Sequence, residues 1–138
     1  DGTELFEVVA PGNEATGVNY SITARLLSAL LIGFGDAPTI ITSGATLVSP
    51  YVPAVTEERI LFNKTVGAAS YTNIGGGAAR NNVPIMIRDI KGDADVNNIT
   101  VSFTGTCDGL ASPIVINQPF AGFIFNPLPN GNWYLSNA

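Results

Sequence analysis

The sequence predicts a mainly β protein, an antiparallel β-sandwich or jelly roll with one short N-terminal helix. Short segments alternate apolar and polar residues, most clearly from Ile99 to Phe103, and turn-forming residues recur at about every tenth position. Charged residues make up only 12% of the chain, whereas about a quarter is usual in soluble domains. Either much of the surface is covered by other chains, or the surface is neutral and rich in Asn, Ser and Thr, and both conditions are typical of assembly subunits.

The 138 residues correspond to one main folding unit preceded by a connecting segment. Residues 1–36 are predicted to form a short strand, a turn, a second strand and a helix, whereas residues 37–138 form the β-sandwich module. The helix spans residues 24–32, with Thr23 as its N-cap and Gly33 at its end. Its apolar stripe either covers one end of a sheet or forms a three-chain seam, and it comprises Leu26, Leu27, Leu30 and Leu31.

About eight or nine short strands are predicted after this segment. They cover residues 38–42, 45–49, 59–63, 84–90, 99–104, 114–116, 120–125 and 133–135. The first two flank Ser43-Gly44 and are predicted to form a hairpin. Two stretches do not fit a strand. Residues 73–82 contain three consecutive glycines and form a mobile loop or a tight multi-residue turn, and residues 49–57 carry two prolines and cannot form a central strand.

Composition excludes several functions. The net charge is −5 and the six basic residues are scattered, so a nucleic-acid partner is not expected. Histidine is absent and Cys107 is the only cysteine, which leaves no intramolecular disulfide, cysteine–histidine zinc site or histidine base. Cys107 is expected to be a small buried hydrophobe. The longest apolar stretch, residues 26–34, is too short to span a bilayer, so no membrane insertion is predicted.

One acidic stretch, residues 89–97, contains candidate metal ligands. Its alternate oxygen-bearing residues Asp93, Asp95 and Asn97 suggest calcium ligands, but the glycine and glutamate that such a loop needs at its sixth and twelfth positions are missing. We therefore expect a polar hairpin turn and no metal. No cofactor is expected either.

Three further features each have a structural explanation. The Trp133-Tyr134 pair beside asparagines could form a carbohydrate platform, but we expect Trp133 to close the core. Gly75 to Gly77 lack the lysine of a phosphate loop, and Asp108-Gly109 is a turn dipeptide. With no nucleophile–base arrangement indicated, the chain is predicted not to be an enzyme.

Several segments, in the same order along the chain, resemble a β module that recurs in bacteriophage tail fibres, tailspikes and related virion appendages. They are residues 61–67 (LFNKTVG), 87–93 (IRDIKGD), 97–101 (NNITV), 107–109 (CDG), 116–118 (INQ) and 132–135 (NWYL). Residues 5–9 and 19–23 are similar to a segment found near fibre and spike N-termini. Cys107 replaces the usual branched aliphatic residue, and residues 73–82 replace a more compact turn.

The resemblance implies a structural virion module that forms a homotrimer on the exterior of the phage particle. It would contact other virion proteins and contribute to host attachment, through a surface polysaccharide or protein, although no receptor-binding residue is identified. Trimeric tail-needle knobs with a jelly-roll fold are an analogy at the level of the fold only. The alternatives are a capsid decoration or cement protein and a carbohydrate-binding module.

Overall fold

A computed structural model of the protein describes residues 37–138. The strands, helix and leucine stripe predicted for residues 1–36 lie outside the described residues. The described part is mainly β, as predicted, and forms two sheets. Its strands are β1 (Thr39–Ile41), β2 (Arg59–Phe62), β3 (Ser70–Asn73), β4 (Ile85–Asp89), β5 (Ile99–Ser102), β6 (Thr106–Cys107), β7 (Leu110–Ala111), β8 (Ile114–Ile116), β9 (Gly122–Pro127) and β10 (Trp133–Asn137).

The larger sheet has seven strands in the order β1-β2-β4-β9-β10-β6-β7, and the smaller sheet has three in the order β3-β5-β8. The prediction of purely antiparallel sheets is wrong, because β1, β2 and β4 run parallel, as do β3 and β5, and β6 and β10. The reason is the path of the chain. From β2 to β5 it alternates between the two sheets, so β2 and β4 become neighbours through a crossover instead of a hairpin.

The inward-facing residues of both sheets form one buried cluster. The alternation predicted for β2, β4 and β5 is confirmed, since Ile60, Phe62, Ile85, Ile87, Ile99 and Val101 are all buried. At the centre, the Phe125 ring meets the Trp133 ring edge to face, with the centroids 6.5 Å apart. This contact ties the antiparallel pair β9–β10 to the interior.

The predicted hairpin around Ser43-Gly44 is wrong. Only its first half is a strand, β1, and it pairs with β2. Residues 46–49 form a tight turn, in which the Thr46 N–H donates to the Ser49 carbonyl at 3.0 Å. Ala45 is buried, and its carbonyl accepts from the N–H of Tyr71 in β3. Alternation alone did not reveal β3, because its sequence Ser-Tyr-Thr-Asn is short and polar.

The glycine-rich stretch adopts the second of its two predicted forms, a tight turn. Gly77–Arg80 is a 3-10 helix, and Asn81 and Asn82 follow with positive φ angles of 49° and 64°. Gly77 has no room for a side chain, because a Cβ atom there would lie 2.4 Å from the carbonyl oxygen of Asn132. Residues 49–57 contain no strand, as their prolines predicted, and Tyr51 makes only an isolated bridge to Thr72.

Candidate functional site

The most unusual surface of the described residues is the side of the larger sheet that faces away from the core. Side chains alternate along a strand, so the neighbours of the buried residues point outward. This surface, which we call the outer face, carries two arginines, two small polar residues and five large apolar or aromatic side chains. These are Arg59, Arg88, Asn126, Ser136, Ile40, Leu61, Met86, Ile124 and Tyr134.

Strand register places these side chains in rows. Ile40, Leu61 and Arg88 are direct neighbours across β1, β2 and β4, and Met86 faces Ile124 across β4 and β9. Ile40 is 52% exposed and Tyr134 is 46% exposed. A sheet with one wet face normally places polar residues there. The apolar pairs Ile40–Leu61 and Met86–Ile124 therefore indicate a surface suited to contact with another protein chain.

Two polar side chains of the outer face, Asn126 and Arg88, are hydrogen-bonded within the chain. Asn126 Nδ2 donates to Ser136 Oγ at 2.7 Å and to the Tyr134 carbonyl at 3.2 Å. Arg88 Nη1 donates to the Ala138 carbonyl at 2.9 Å. A polar group that keeps its hydrogen bonds can be covered at little cost. Covering this face would therefore bury apolar area without leaving these groups unpaired.

A cleft of about 210 Å³ lies at the end of the strands where β3 ends and β2 begins. Its walls are mainly aliphatic, and it is lined by Val52, Pro53, Val55, Asn73, Ile74, Gly75, Gly76, Ala79 and Arg80. Val52 and Val55 are 66% and 50% exposed. The cleft therefore offers an accessible apolar recess at one end of the sheets.

Arg80 in this cleft connects two segments of the backbone by hydrogen bonds. It is buried, and it donates from Nε to the Val83 carbonyl at 2.9 Å, from Nη1 to the Ala54 carbonyl at 3.2 Å and from Nη2 to the Glu57 carbonyl. Burial lowers the pKa of Arg80, and the charges of Glu57 and Glu58 oppose that shift. Because the Arg80 donors are bound to backbone carbonyls and two carboxylates lie nearby, the cleft favours an apolar occupant over an anion.

Glu57 organises the loop beside the cleft. Its Oε1 accepts from Tyr51 Oη at 2.7 Å and from Thr39 Oγ1, and its Oε2 accepts from the Ala54 N–H at 2.7 Å. Burial alone would raise the pKa of Glu57, but these hydrogen bonds lower it overall. Burial, followed by the bond to Glu57 and its charge, raises the pKa of Tyr51 to about 12. Sequence reasoning singled out neither Glu57 nor Arg80, because some of their hydrogen bonds join segments that are distant in the chain.

The acidic loop after β4 is built around Asp89. This buried carboxylate accepts four backbone hydrogen bonds, from the N–H groups of Lys91, Gly92, Ala94 and Phe120, at 2.9–3.1 Å. The loop is a turn, as predicted, but it connects strands of different sheets and is therefore not a hairpin.

The three candidate calcium ligands have different surroundings. Asp93 Oδ2 accepts from Lys91 Nζ and from Asn97 Nδ2, both at 2.8 Å, and these bonds lower the pKa of Asp93. Asp95 is exposed. Asp93 and Asn97 are thus brought together, but as hydrogen-bond partners of each other. Within residues 37–138, no three histidine, cysteine or acidic side chains converge as metal ligands would. The absence of calcium stays a prediction.

Phe120, on the far side of this loop, has a strained backbone. The Ala121 N–H donates to the Gln118 carbonyl at 3.1 Å, so residues 118–121 form a β-turn with Pro119 second and Phe120 third. Phe120 has φ of 61°, a value that favours glycine and costs a bulky residue about 1–2 kcal/mol. Its ring rests on Gly92, where a Cβ atom would lie 2.2 Å from Phe120 Cζ, yet Phe120 is 56% exposed.

Trp133 and Cys107 belong to the core, as predicted. Trp133 is 1% exposed and its Nε1 donates to the Gly75 carbonyl at 3.2 Å, so the carbohydrate platform proposed for it is not formed. Burial, together with the charge of Asp108, raises the pKa of the Cys107 thiol to about 11. Asp108 and Gly109 form the predicted two-residue turn, between β6 and β7, both with positive φ.

Comparison with known proteins adds no assignment. No family model and no curated protein matches the chain. In the part of the chain that the structure describes, no helix has both the length and the apolar character needed to cross a membrane.

Proposed function

We propose that this protein is a structural β module of a bacteriophage fibre, spike or related tail appendage. It assembles from three copies, presents its surface on the exterior of the virion and contributes to attachment to the bacterial host. In this proposal the two sheets form a β-sandwich of the jelly-roll type. The protein is not an enzyme and needs no cofactor.

The observation that carries the proposal is the apolar outer face of the larger sheet. A monomer in water gains nothing from placing Ile40, Met86, Ile124 and Tyr134 on one side of a sheet, whereas an assembly subunit buries them. The low charged share of 12% supports the same conclusion, because a chain that is largely covered by its neighbours needs fewer surface charges. The resemblance to fibre and spike modules supports three as the number of copies.

The proposal predicts that the purified full chain has the mass of three copies. Multi-angle light scattering over a range of micromolar concentrations should give three times the chain mass of 14.3 kDa. A species that stays at one copy at every concentration would contradict the proposed assembly.

The position on the particle separates this proposal from a capsid decoration or cement protein. Gold-labelled antibodies against the chain should mark the tail or its appendages in electron micrographs of intact phage. Labels distributed over the head would favour the cement protein instead.

A further inference from the structure

We propose a second contact between copies, in which Phe120 of one copy inserts into the cleft of the next. This contact joins the copies end to end and is separate from the outer face. The docked partner is therefore another copy of this chain, and the docking group is a single aromatic ring.

The Phe120 ring, which we call the knob, projects from the surface. Phe120 lies two residues before the first residue of β9, at the end of the sheets where β4 ends, and its N–H donates to the buried carboxylate of Asp89 at 3.1 Å. One edge of the ring rests on Gly92, so the ring is supported from below. The backbone of Phe120 has a conformation that favours glycine, and yet the residue remains 56% exposed. Packing within its own chain therefore does not fully explain a phenylalanine at this position.

The cleft matches one aromatic ring in size and chemistry. Its volume is about 210 Å³, and an aliphatic cavity of about 150 Å³ already binds benzene. Val52, Pro53, Val55, Ile74 and Ala79 provide aliphatic walls, and the Arg80 guanidinium donates to backbone carbonyls. A neutral ring fits this recess better than a charged ligand.

The two features lie at opposite ends of the strands. Phe120 lies beside the end of β4, whereas the cleft lies beside the start of β2 and the end of β3. Exposed valines lie near both features. Val66 and Val96 are on loops at the end that carries Phe120, and Val52 and Val55 line the cleft. A knob and a recess on different surfaces of one molecule make a heterologous contact, which repeats from copy to copy along a row.

The test uses two single variants of the full chain. Phe120→Gly removes the knob and suits the φ of 61°, so it does not add backbone strain. Val55→Asp places a charge on the cleft wall, and Val48→Asp, at a valine that is 94% exposed, is the matched control. In sedimentation velocity the parent and the control should form species larger than the basic assembly as concentration rises, and each single variant should lose them.

Mixing the variants gives the deciding result. Phe120→Gly retains an intact cleft and Val55→Asp retains the ring, so an equimolar mixture should form a species of twice the basic mass that neither variant forms alone. The inference is overturned if the parent shows no larger species up to its solubility limit, or if the mixture stays at the basic mass. Loss of the basic assembly itself would instead contradict the proposed outer-face contact, so the two failures can be distinguished.

Discussion

At the scale of single residues, the interior depends on a few side chains that each hold two parts of the chain together. Trp133 packs edge to face on Phe125 and donates to the Gly75 carbonyl, so it fixes the glycine-rich turn against β10. Arg80 and Glu57 fix the loop beside the cleft in the same way, through backbone carbonyl and N–H groups. Such residues stabilise the fold by satisfying buried polar groups as well as by covering apolar area.

Trp133→Ala should destabilise the protein by about 3–5 kcal/mol, the usual range for removing a buried aromatic side chain. Trp133→Phe retains a ring but loses the bond to Gly75, and should cost less. Leu110→Ala, at a residue that is 60% exposed, is the control and should stay within about 0.5 kcal/mol. Urea unfolding measures all three. A Trp133→Ala protein with parental stability would contradict the observed burial.

At the scale of elements, the turn between β4 and β5 shows how a loop without regular structure can be rigid. One buried carboxylate, that of Asp89, accepts N–H groups from both sides of the turn and from Phe120, thirty-one residues away. The turn and the segment before β9 are therefore held as one unit. The position of the Phe120 ring follows from this arrangement.

Asp89→Asn should destabilise the protein by roughly 2–4 kcal/mol, because an amide group then faces backbone donors and charge-assisted bonds are lost. Asp95→Asn, at an exposed carboxylate of the same loop, should change stability by less than about 0.5 kcal/mol. Thermal unfolding followed by circular dichroism compares the two. Equal effects at both positions would mean that Asp89 does not organise the turn.

At the scale of the whole molecule, the two sides of the larger sheet both carry apolar rows. One side meets the smaller sheet in the shared core, and the other is the outer face. The outward side of the smaller sheet differs, since Thr100 lies between Tyr71 and Val115, and Ser102 lies beside Asn73. Of these two sheet surfaces, only the outer face combines cross-strand apolar pairs, Ile40–Leu61 and Met86–Ile124, with polar side chains that are hydrogen-bonded within the chain.

Ile124→Lys should therefore split the proposed assembly into folded single chains. A lysine at the centre of a covered face should weaken association at least about 100-fold, or about 3 kcal/mol, because its charge loses water on assembly. Val115→Lys, outward on the smaller sheet, is the matched control and should leave the assembly intact. Light scattering gives the mass, and a cooperative melting curve shows that each variant is folded. An Ile124→Lys protein that still forms trimers would exclude the outer face as the contact.

Particular elements show what could be predicted from the sequence. β2, β4, β5 and β10 were predicted from alternation, and the core positions of Trp133 and Cys107 from residue type, because these signals are local. β3 and the short pair β6–β7 were missed, because such brief strands are stabilised by their partners and not by their own sequence.

The sequence by itself determined that the protein is mainly β, the core-facing side of the long strands and the turn at Asp108-Gly109, since each depends on neighbouring residues. Only the tertiary structure decided the mixed pairing of the sheets, the apolar outer face, the cleft around Arg80 and the exposed ring on Gly92. These depend on which strand the chain reaches after each crossover. That choice is set by the packing of residues far apart in the sequence, which no local pattern encodes.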